Sequence, residues 1–180
     1  KKNGINSEIL RRAAGMAGKK LNSLKAKKIG FTVTSDLQNK SEIDVGQVLV
    51  EGLTLGSYKF FKYKESHDDK SKLESIKIQC CDPEKITSSN ALKTGKIRAD
   101  CTNLARNLGN TPANDLKPKD LAFTAEKIAK QYKMNCSVLE EKQMKKLGME
   151  MLLGVSRGSR EPAKLILMEY FHQKAKQTVA

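Results

Sequence analysis

The feature that most constrains the fold is a heavily punctuated stretch in the middle of the chain, residues 99–121. Its first half has a helical pattern that breaks at Gly109, and a second helical pattern begins at Pro118. The residues between them are rich in Pro, Asn and Asp, which favour turns over regular structure. Because the composition also differs on the two sides, we interpret the stretch as the junction between two domains, residues 1–109 and 110–180.

Helical and strand-like patterns alternate on the N-terminal side of this junction. Apolar residues recur at helical spacing over residues 7–25, 41–62 and 82–109, and they alternate over residues 29–33 and 73–80. Such an order predicts an α/β sheet with helices on its faces. Only two strands can be recognised, so we expect further strands of this domain to precede the chain. The long third helix suits a connector between two domains.

Single residues predict two details of the first two helices. Ser7 and Ser41 are suited to the N-cap positions, because a hydroxyl oxygen accepts hydrogen bonds from exposed backbone N–H groups. Gly52 and Gly56 lie four residues apart on the apolar face of the second helix. Each costs up to about 1 kcal/mol relative to Ala. We therefore expect close packing against another element to offset this cost, with ligand approach as the weaker alternative.

The residues after the junction predict the opening of a second α/β domain. A helical stripe runs from Leu121 to Tyr132, and a strand pattern follows over residues 136–139. A short helix then closes at Gly148, which suits the left-handed position after a helix end. Residues 165–171 are almost continuously apolar, as expected for a strand covered on both faces. Another strand begins as the chain stops, so we expect this domain to be truncated after its first unit or two.

The charge balance bears on possible partners. The formal net charge is +14, from 34 Lys and Arg against 20 Asp and Glu, and a basic protein of this kind can bind nucleic acid. The lysines are scattered, few aromatic residues lie between them, and Lys outnumbers Arg, which disfavours bidentate phosphate recognition. Solvated helix faces are the favoured explanation. No apolar stretch approaches the roughly 18 residues of a membrane-spanning helix, so no membrane partner is expected.

No residue pattern predicts a catalytic, cofactor-binding or metal site within the chain. The chain has four cysteines: Cys80, Cys81, Cys101 and Cys136. They lack the spacing of metal ligands, so free and mostly buried thiols in a reducing compartment are expected. His67 and His172 are far apart in sequence, and therefore no zinc cluster can be assembled.

Two polar segments are candidate binding sites. Residues 154–158 lack the glycine and Lys-Ser/Thr spacing of a phosphate loop. Arg157 and Arg160 in the following loop could bind an anion or a neighbouring subunit, but exposed loop charges are the favoured interpretation. Three side chains after the helix break could be mistaken for metal ligands: Asn110, Asn114 and Asp115. Hydrogen bonds in turns and caps are the favoured role for these residue types.

The junction also carries a family resemblance. Residues 104–116 closely resemble the segment that opens the catalytic domain of the leucyl aminopeptidase (cytosol aminopeptidase) family, whose pattern reads like A-R-x-L-x-N-x-P-x-N. Further matches follow the same order along the chain: residues 12–15, 51–58, 147–149, 154–159 and 161–162. Together they span nearly the whole chain.

The resemblance implies a fold and a function. It implies a partial macrodomain-like N-terminal domain, a connecting helix, and the first α/β units of a zinc-peptidase-like domain. It also implies a cytoplasmic homohexamer that hydrolyses N-terminal residues, often Leu, from peptides with two divalent metal ions, Zn or Mn. The family motifs that supply the metal ligands and the catalytic Arg and Lys would lie downstream.

No catalytic, cofactor-binding or metal residue can therefore be carried over onto this chain, which is expected to be inactive alone and to bind no metal. The alternative is a non-enzymatic binding module, either basic and macrodomain-like or nucleic-acid-binding.

Overall fold

The chain folds into two compact units, Lys1–Asn110 and Thr111–Ala180. The computed structural model describes residues 6–33, 44–64, 74–80 and 89–171. The features named from the sequence that lie outside these ranges are Ser41, His67, Cys81, the helix start near residue 82, His172 and the strand expected at the end of the chain.

The described part of the first unit contains three helices and two strands. In chain order they are α1 (Ser7–Ser23), β1 (Lys28–Val33), α2 (Val45–Gly56), β2 (Ser75–Cys80) and α3 (Ser89–Asn110). The two strands pair in parallel, with Ile29 opposite Ile76 and Phe31 opposite Ile78. The α/β architecture predicted from the alternating patterns is therefore confirmed.

The core of the first unit is aliphatic. Val33, Leu49 and Leu53 are completely buried, because β1 and the apolar face of α2 pack together. Ile76 and Ile78 contribute from β2 and are partly buried against the same cluster. The alternation of apolar residues predicted for both strands thus corresponds to one core-facing side of the sheet.

The N-caps of α1 and α2 differ from the prediction. Asn6, rather than Ser7, has extended backbone angles, and its Oδ1 accepts a hydrogen bond from the Ile9 N–H at 2.9 Å. Asp44 caps α2 and accepts from the Gln47 N–H at 3.1 Å. Asn and Asp are at least as good as Ser at this position. The two helices therefore begin after Asn6 and Asp44, whose side-chain oxygens accept backbone hydrogen bonds.

α2 ends at Gly56, six residues before the predicted end at residue 62. The Ser57 N–H donates to the Leu53 carbonyl and closes the last turn. The Ser57 carbonyl then accepts from Asn22 Nδ2 at 2.7 Å, which fixes the chain as it leaves the helix. The helical spacing at Phe60 was therefore misleading, since this residue follows the helix.

Glycines bring α1 and α2 into close contact, as predicted for Gly52 and Gly56. A Cβ at Gly18 would lie 2.5 Å from the Leu53 carbonyl oxygen, and one at Gly52 would lie 2.7 Å from Ala14 Cβ. A Cβ at Gly56 would collide with the Gly15 carbonyl. The two backbones meet where side chains are absent, so close packing accounts for the glycines.

α3 packs on α2 through small residues at four-residue spacing. Ala91 and Ala99 are buried, and a Cβ at Gly95 between them would collide with the carbonyl of Gln47. The helix runs for 22 residues and continues through both Gly95 and Gly109. It therefore provides the long helix predicted before the junction.

The described part of the second unit combines an antiparallel strand pair with three helices. Its elements are α4 (Pro118–Tyr132), β3 (Asn135–Glu140), α5 (Glu141–Lys146), α6 (Glu150–Ser156) and β4 (Lys164–Glu169). β3 and β4 pair from Asn135 opposite Glu169 to Glu140 opposite Lys164. Gly148 has φ of +72° after the end of α5, as predicted for a glycine that follows a helix.

Two burial predictions for the second unit are only partly correct. Of the stripe predicted on α4, Ala125 and Ala129 are buried, whereas Leu121 and Tyr132 are exposed. Ala122 completes the buried stripe because α4 meets the strands through its smallest side chains. The strand predicted to be covered on both faces is β4, but its C-terminal half is exposed in this chain.

Candidate functional site

The described residues offer no metal centre. Among residues 6–33, 44–64, 74–80 and 89–171, no group of three or more His, Cys, Asp or Glu side chains could hold a metal ion. The described residues therefore do not fit the two-metal centre that the resemblance implies, and no catalytic step is derived from them. Cys101 is exposed and Cys136 half-buried, which contradicts the prediction of mostly buried thiols. No helix within the described ranges is long and apolar enough to cross a membrane.

Arg106 links the last turns of α3 to the end of α2. Its Nη1 donates a hydrogen bond to the Leu55 carbonyl oxygen at 3.1 Å and lies 3.3 Å from Asn103 Oδ1. The guanidinium carbon lies 5.4 Å from the centre of the Tyr58 ring, within the range of a cation–π contact. Leu55 is in the last turn of α2, where carbonyls have no partner within the helix, so Arg106 caps that helix.

The hydroxyl of Tyr58 joins two asparagines on the same side of α3. It donates to Asn107 Oδ1 at 2.8 Å and accepts from Asn110 Nδ2 at 3.1 Å. We call Leu55, Tyr58, Arg106, Asn107 and Asn110 the Tyr58 clasp. Its α3 residues belong to the motif that carries the family resemblance, and Leu55 and Tyr58 belong to the matching segment 51–58.

The Tyr58 clasp is not predicted from the sequence, although its residues lie in segments 51–58 and 104–116, which carry the family resemblance. Asn110 was considered with Asn114 and Asp115, because the three follow the helix break closely. The structure places Asn110 in the clasp, and it places Asn114 and Asp115 in a turn closed by the Asp115 N–H and the Pro112 carbonyl at 2.9 Å. The spacing of three positions from Asn107 to Asn110 is a usable signal for one shared partner, because residues at this spacing lie on the same side of a helix.

The start of α4 is held by a second polar cluster. Lys117 is the N-cap residue, and its backbone N–H donates to Asp120 Oδ2 at 2.9 Å. The Lys117 ammonium lies 2.5 Å from Glu161 Oε1, and this hydrogen bond raises the pKa of Lys117. The lysine side chain itself makes no capping bond, since an ammonium group has no acceptor.

The loop after α6 provides the other half of this cluster. Ser159 Oγ accepts from the Glu161 N–H at 3.1 Å and so orients the partner of Lys117. The Ala163 N–H at the end of the loop donates to Glu141 Oε1 at 2.8 Å. Arg157 and Arg160 are exposed in the same loop. The resemblance segments 154–159 and 161–162 therefore contain residues that fix the loop.

An open cavity of about 300 Å³ lies between α4 and the strands of the second unit. Its lining includes two lysines and two glutamates: Lys119, Glu126, Glu140 and Lys164. Lys164 and Glu140 form an ion pair with each other. The charges in the cavity are balanced, and the lining contains neither a nucleophile with an adjacent base nor a set of metal ligands.

Two curated proteins with similar sequences are described as probable cytosol aminopeptidases. The chain is 32% identical to the probable cytosol aminopeptidase of Desulfotalea psychrophila, over 99% of this chain and 36% of that protein. It is 33% identical to the probable cytosol aminopeptidase of Alkaliphilus oremlandii, with the same coverage of 99% and 36%. The chain thus spans about a third of the length of these relatives.

Solved structures share the fold. A mutant of tomato leucine aminopeptidase superposes with a TM-score of 0.80 at 22% identity, covering 98% of this chain and 36% of the tomato chain. The bottromycin maturation enzyme BotP in complex with Mn superposes with a TM-score of 0.75 at 24% identity, covering 94% and 34%.

The α/β units and the long helix before the junction define a chain with the fold of the leucine aminopeptidases. Two family models match in the same order, the N-terminal domain over residues 1–67 and the catalytic domain over residues 103–180. The chain belongs to the cytosol aminopeptidase family and covers its N-terminal domain and the start of its catalytic domain.

Proposed function

We propose that this chain is part of a metal-dependent leucyl aminopeptidase, which hydrolyses N-terminal residues, often Leu, from peptides. The observation that carries this proposal is the ordered match to both domains of the cytosol aminopeptidase family along one chain. Curated relatives with the same arrangement are described as probable cytosol aminopeptidases. Peptides are accordingly the substrate class.

The finer properties of the enzyme are also proposals. The parent uses two divalent metal ions, Zn or Mn, and one structural relative is described in complex with Mn. It forms a homohexamer in the cytoplasm, as the family resemblance implies. The domains divide at residues 1–109 and 110–180, and the metal ligands and catalytic residues lie outside this chain. The 180-residue chain is therefore inactive alone.

The test compares this chain with the longest product of the same gene. Both are assayed for hydrolysis of leucine amide after incubation with Mn²⁺ or Zn²⁺, and again after chelation. We expect metal-dependent turnover by the longer product and none by the 180-residue chain. Turnover by the short chain would contradict the placement of the metal site outside it.

The alternative, a basic binding module, is tested in parallel. An inactive long product together with salt-sensitive binding of duplex DNA would favour that alternative over a peptidase, because phosphate contacts weaken steeply with salt. Peptidase activity of the long product, together with no salt-sensitive binding of DNA, would exclude the binding module.

A further inference from the structure

The last turn of α3 forms where the local sequence opposes a helix. Glycine is less favourable than Ala inside a helix, which applies to Gly109, and Pro112 disfavours helical backbone angles at the residue before it. Apart from its chain neighbours and the backbone of its own helix, nothing lies within 4 Å of the position that a Gly109 Cβ would occupy, so tertiary packing at this residue does not compensate. The helix nevertheless extends to Asn110.

We propose that Tyr58 is a positioning residue whose hydroxyl holds the last turn of α3 closed. A hydroxyl can donate one hydrogen bond while it accepts another, and Tyr58 donates to Asn107 and accepts from Asn110. The two asparagines lie on one side only while the chain between them, including Gly109, is helical. Both bonds together therefore favour the helix through Gly109.

The other contacts of the clasp place the hydroxyl. Tyr58 follows α2 directly, and the cation–π contact with Arg106 orients its ring. Arg106 is in turn held by the Leu55 carbonyl. The end of α2 and the end of α3 thus stabilise each other.

The functional consequence rests on the proposed function. The match to the family's catalytic domain begins at residue 103, within α3. By closing the last turn, Tyr58 would fix the point at which the chain leaves α3 and continues into the catalytic domain. The exchange experiment below depends on the structure alone, so its failure can be distinguished from a failure to find peptidase activity.

The first test is amide hydrogen exchange of the 180-residue chain with Tyr58→Phe. The ring and its contact with Arg106 remain, but both hydrogen bonds are lost. Since each neutral hydrogen bond contributes roughly 1 kcal/mol and about 1.4 kcal/mol is tenfold, the loss of both bonds should make exchange at residues 108–110 roughly thirtyfold faster. Exchange in α1 should not change. Tyr132→Phe, a matched loss of a hydroxyl on α4, should leave residues 108–110 unaffected.

The second test makes one chemical change at two positions. Asp accepts hydrogen bonds but, when ionised, cannot donate them. Asn107→Asp should therefore retain the acceptor for the Tyr58 hydroxyl, whereas Asn110→Asp should lose the donor. A negative charge near a helix C-terminus is unfavourable at both positions. Both variants should therefore be destabilised by this effect, and the difference between them reports the lost donor. We expect faster exchange at residues 108–110 in Asn110→Asp than in Asn107→Asp.

Two results would overturn the proposal. One is unchanged exchange at residues 108–110 in Tyr58→Phe while the variant is folded. The other is an equal response to Asn107→Asp and Asn110→Asp, which would indicate general helix destabilisation. If Tyr58→Phe does not fold, the comparison of the two Asp variants decides the question.

Discussion

Individual polar side chains tie neighbouring elements together in both units. The Tyr58 hydroxyl and the Glu161 carboxylate each act through partners that are distant in sequence. Glu8 instead acts locally, since it accepts from Arg12 Nε at 2.8 Å and pairs with Arg11 at 2.5 Å within the first turns of α1. These hydrogen bonds, with Arg12 contributing more than Arg11, lower the pKa of Glu8.

The lowered pKa of Glu8 predicts a pH-dependent contribution to stability. Because the folded-state pKa lies below the unfolded value, the contribution is present above the ordinary glutamate range and is lost as the pH falls through the lowered value. Glu8→Gln should therefore lower the thermal midpoint slightly at neutral pH, and the difference from the wild type should vanish in acid.

The effect should be small and weaken with salt, because the ion pair is exposed. Glu126→Gln on α4 is the matched loss of a carboxylate elsewhere. A difference between wild type and Glu8→Gln that persists unchanged in acid would contradict the assigned ion pair.

Helix packing in the first unit depends on backbone approach at glycines. α1 and α2 meet at Gly18 and Gly52, and α3 meets α2 at Gly95. At these positions the free energy of packing exceeds the helix-propensity cost of glycine. Gly109, in the same helix as Gly95, has open space around it.

The two glycines of α3 should respond oppositely to Ala. Gly95→Ala should lower the free energy of unfolding by about 1–3 kcal/mol, since the new methyl group would collide with the Gln47 backbone. Gly109→Ala should raise it by up to about 1 kcal/mol, because only helix propensity changes. Urea unfolding of the two variants measures both effects. Equal destabilisation by both variants would refute the assigned contact at Gly95.

At the scale of the whole molecule, much apolar surface in the second unit remains uncovered in this chain. On α6, Met151 is 90% exposed and Val155 is 89% exposed, whereas Met144 on α5 is fully buried. The same residue type therefore occupies opposite environments in two consecutive helices.

Replacement of each methionine by Glu should distinguish the buried side chain of Met144 from the exposed side chain of Met151. Met144→Glu should cost at least about 2–5 kcal/mol, the range for truncating a buried Met, and should unfold the second unit. Met151→Glu should change the free energy of unfolding by no more than about 0.5 kcal/mol and reduce self-association. Circular dichroism and light scattering would measure the two effects. Unfolding by Met151→Glu would show that its side chain is part of the core.

Whether a feature could be predicted from the sequence depends on how far apart along the chain the interacting residues lie. Local patterns correctly predicted the strands β1 to β3, the break between α3 and α4, and the role of Gly148, because these depend on nearby residues. They placed the end of α2 six residues too late. They also included the exposed Leu121 and Tyr132 in the buried stripe of α4, because packing partners select among similar helix faces. The exposure of Cys101 was missed for the same reason.

The sequence by itself determined the α/β class, the break between α3 and α4 and the family resemblance, since these depend on local composition and ordered motifs. Only the tertiary structure identified the partners of the junction motif. Tyr58 is about fifty residues from Asn107 and Asn110, and no local pattern connects a hydroxyl to two amides across that separation. The fold brings them together because α2 and α3 pack through small residues, which places the end of one helix beside the end of the other.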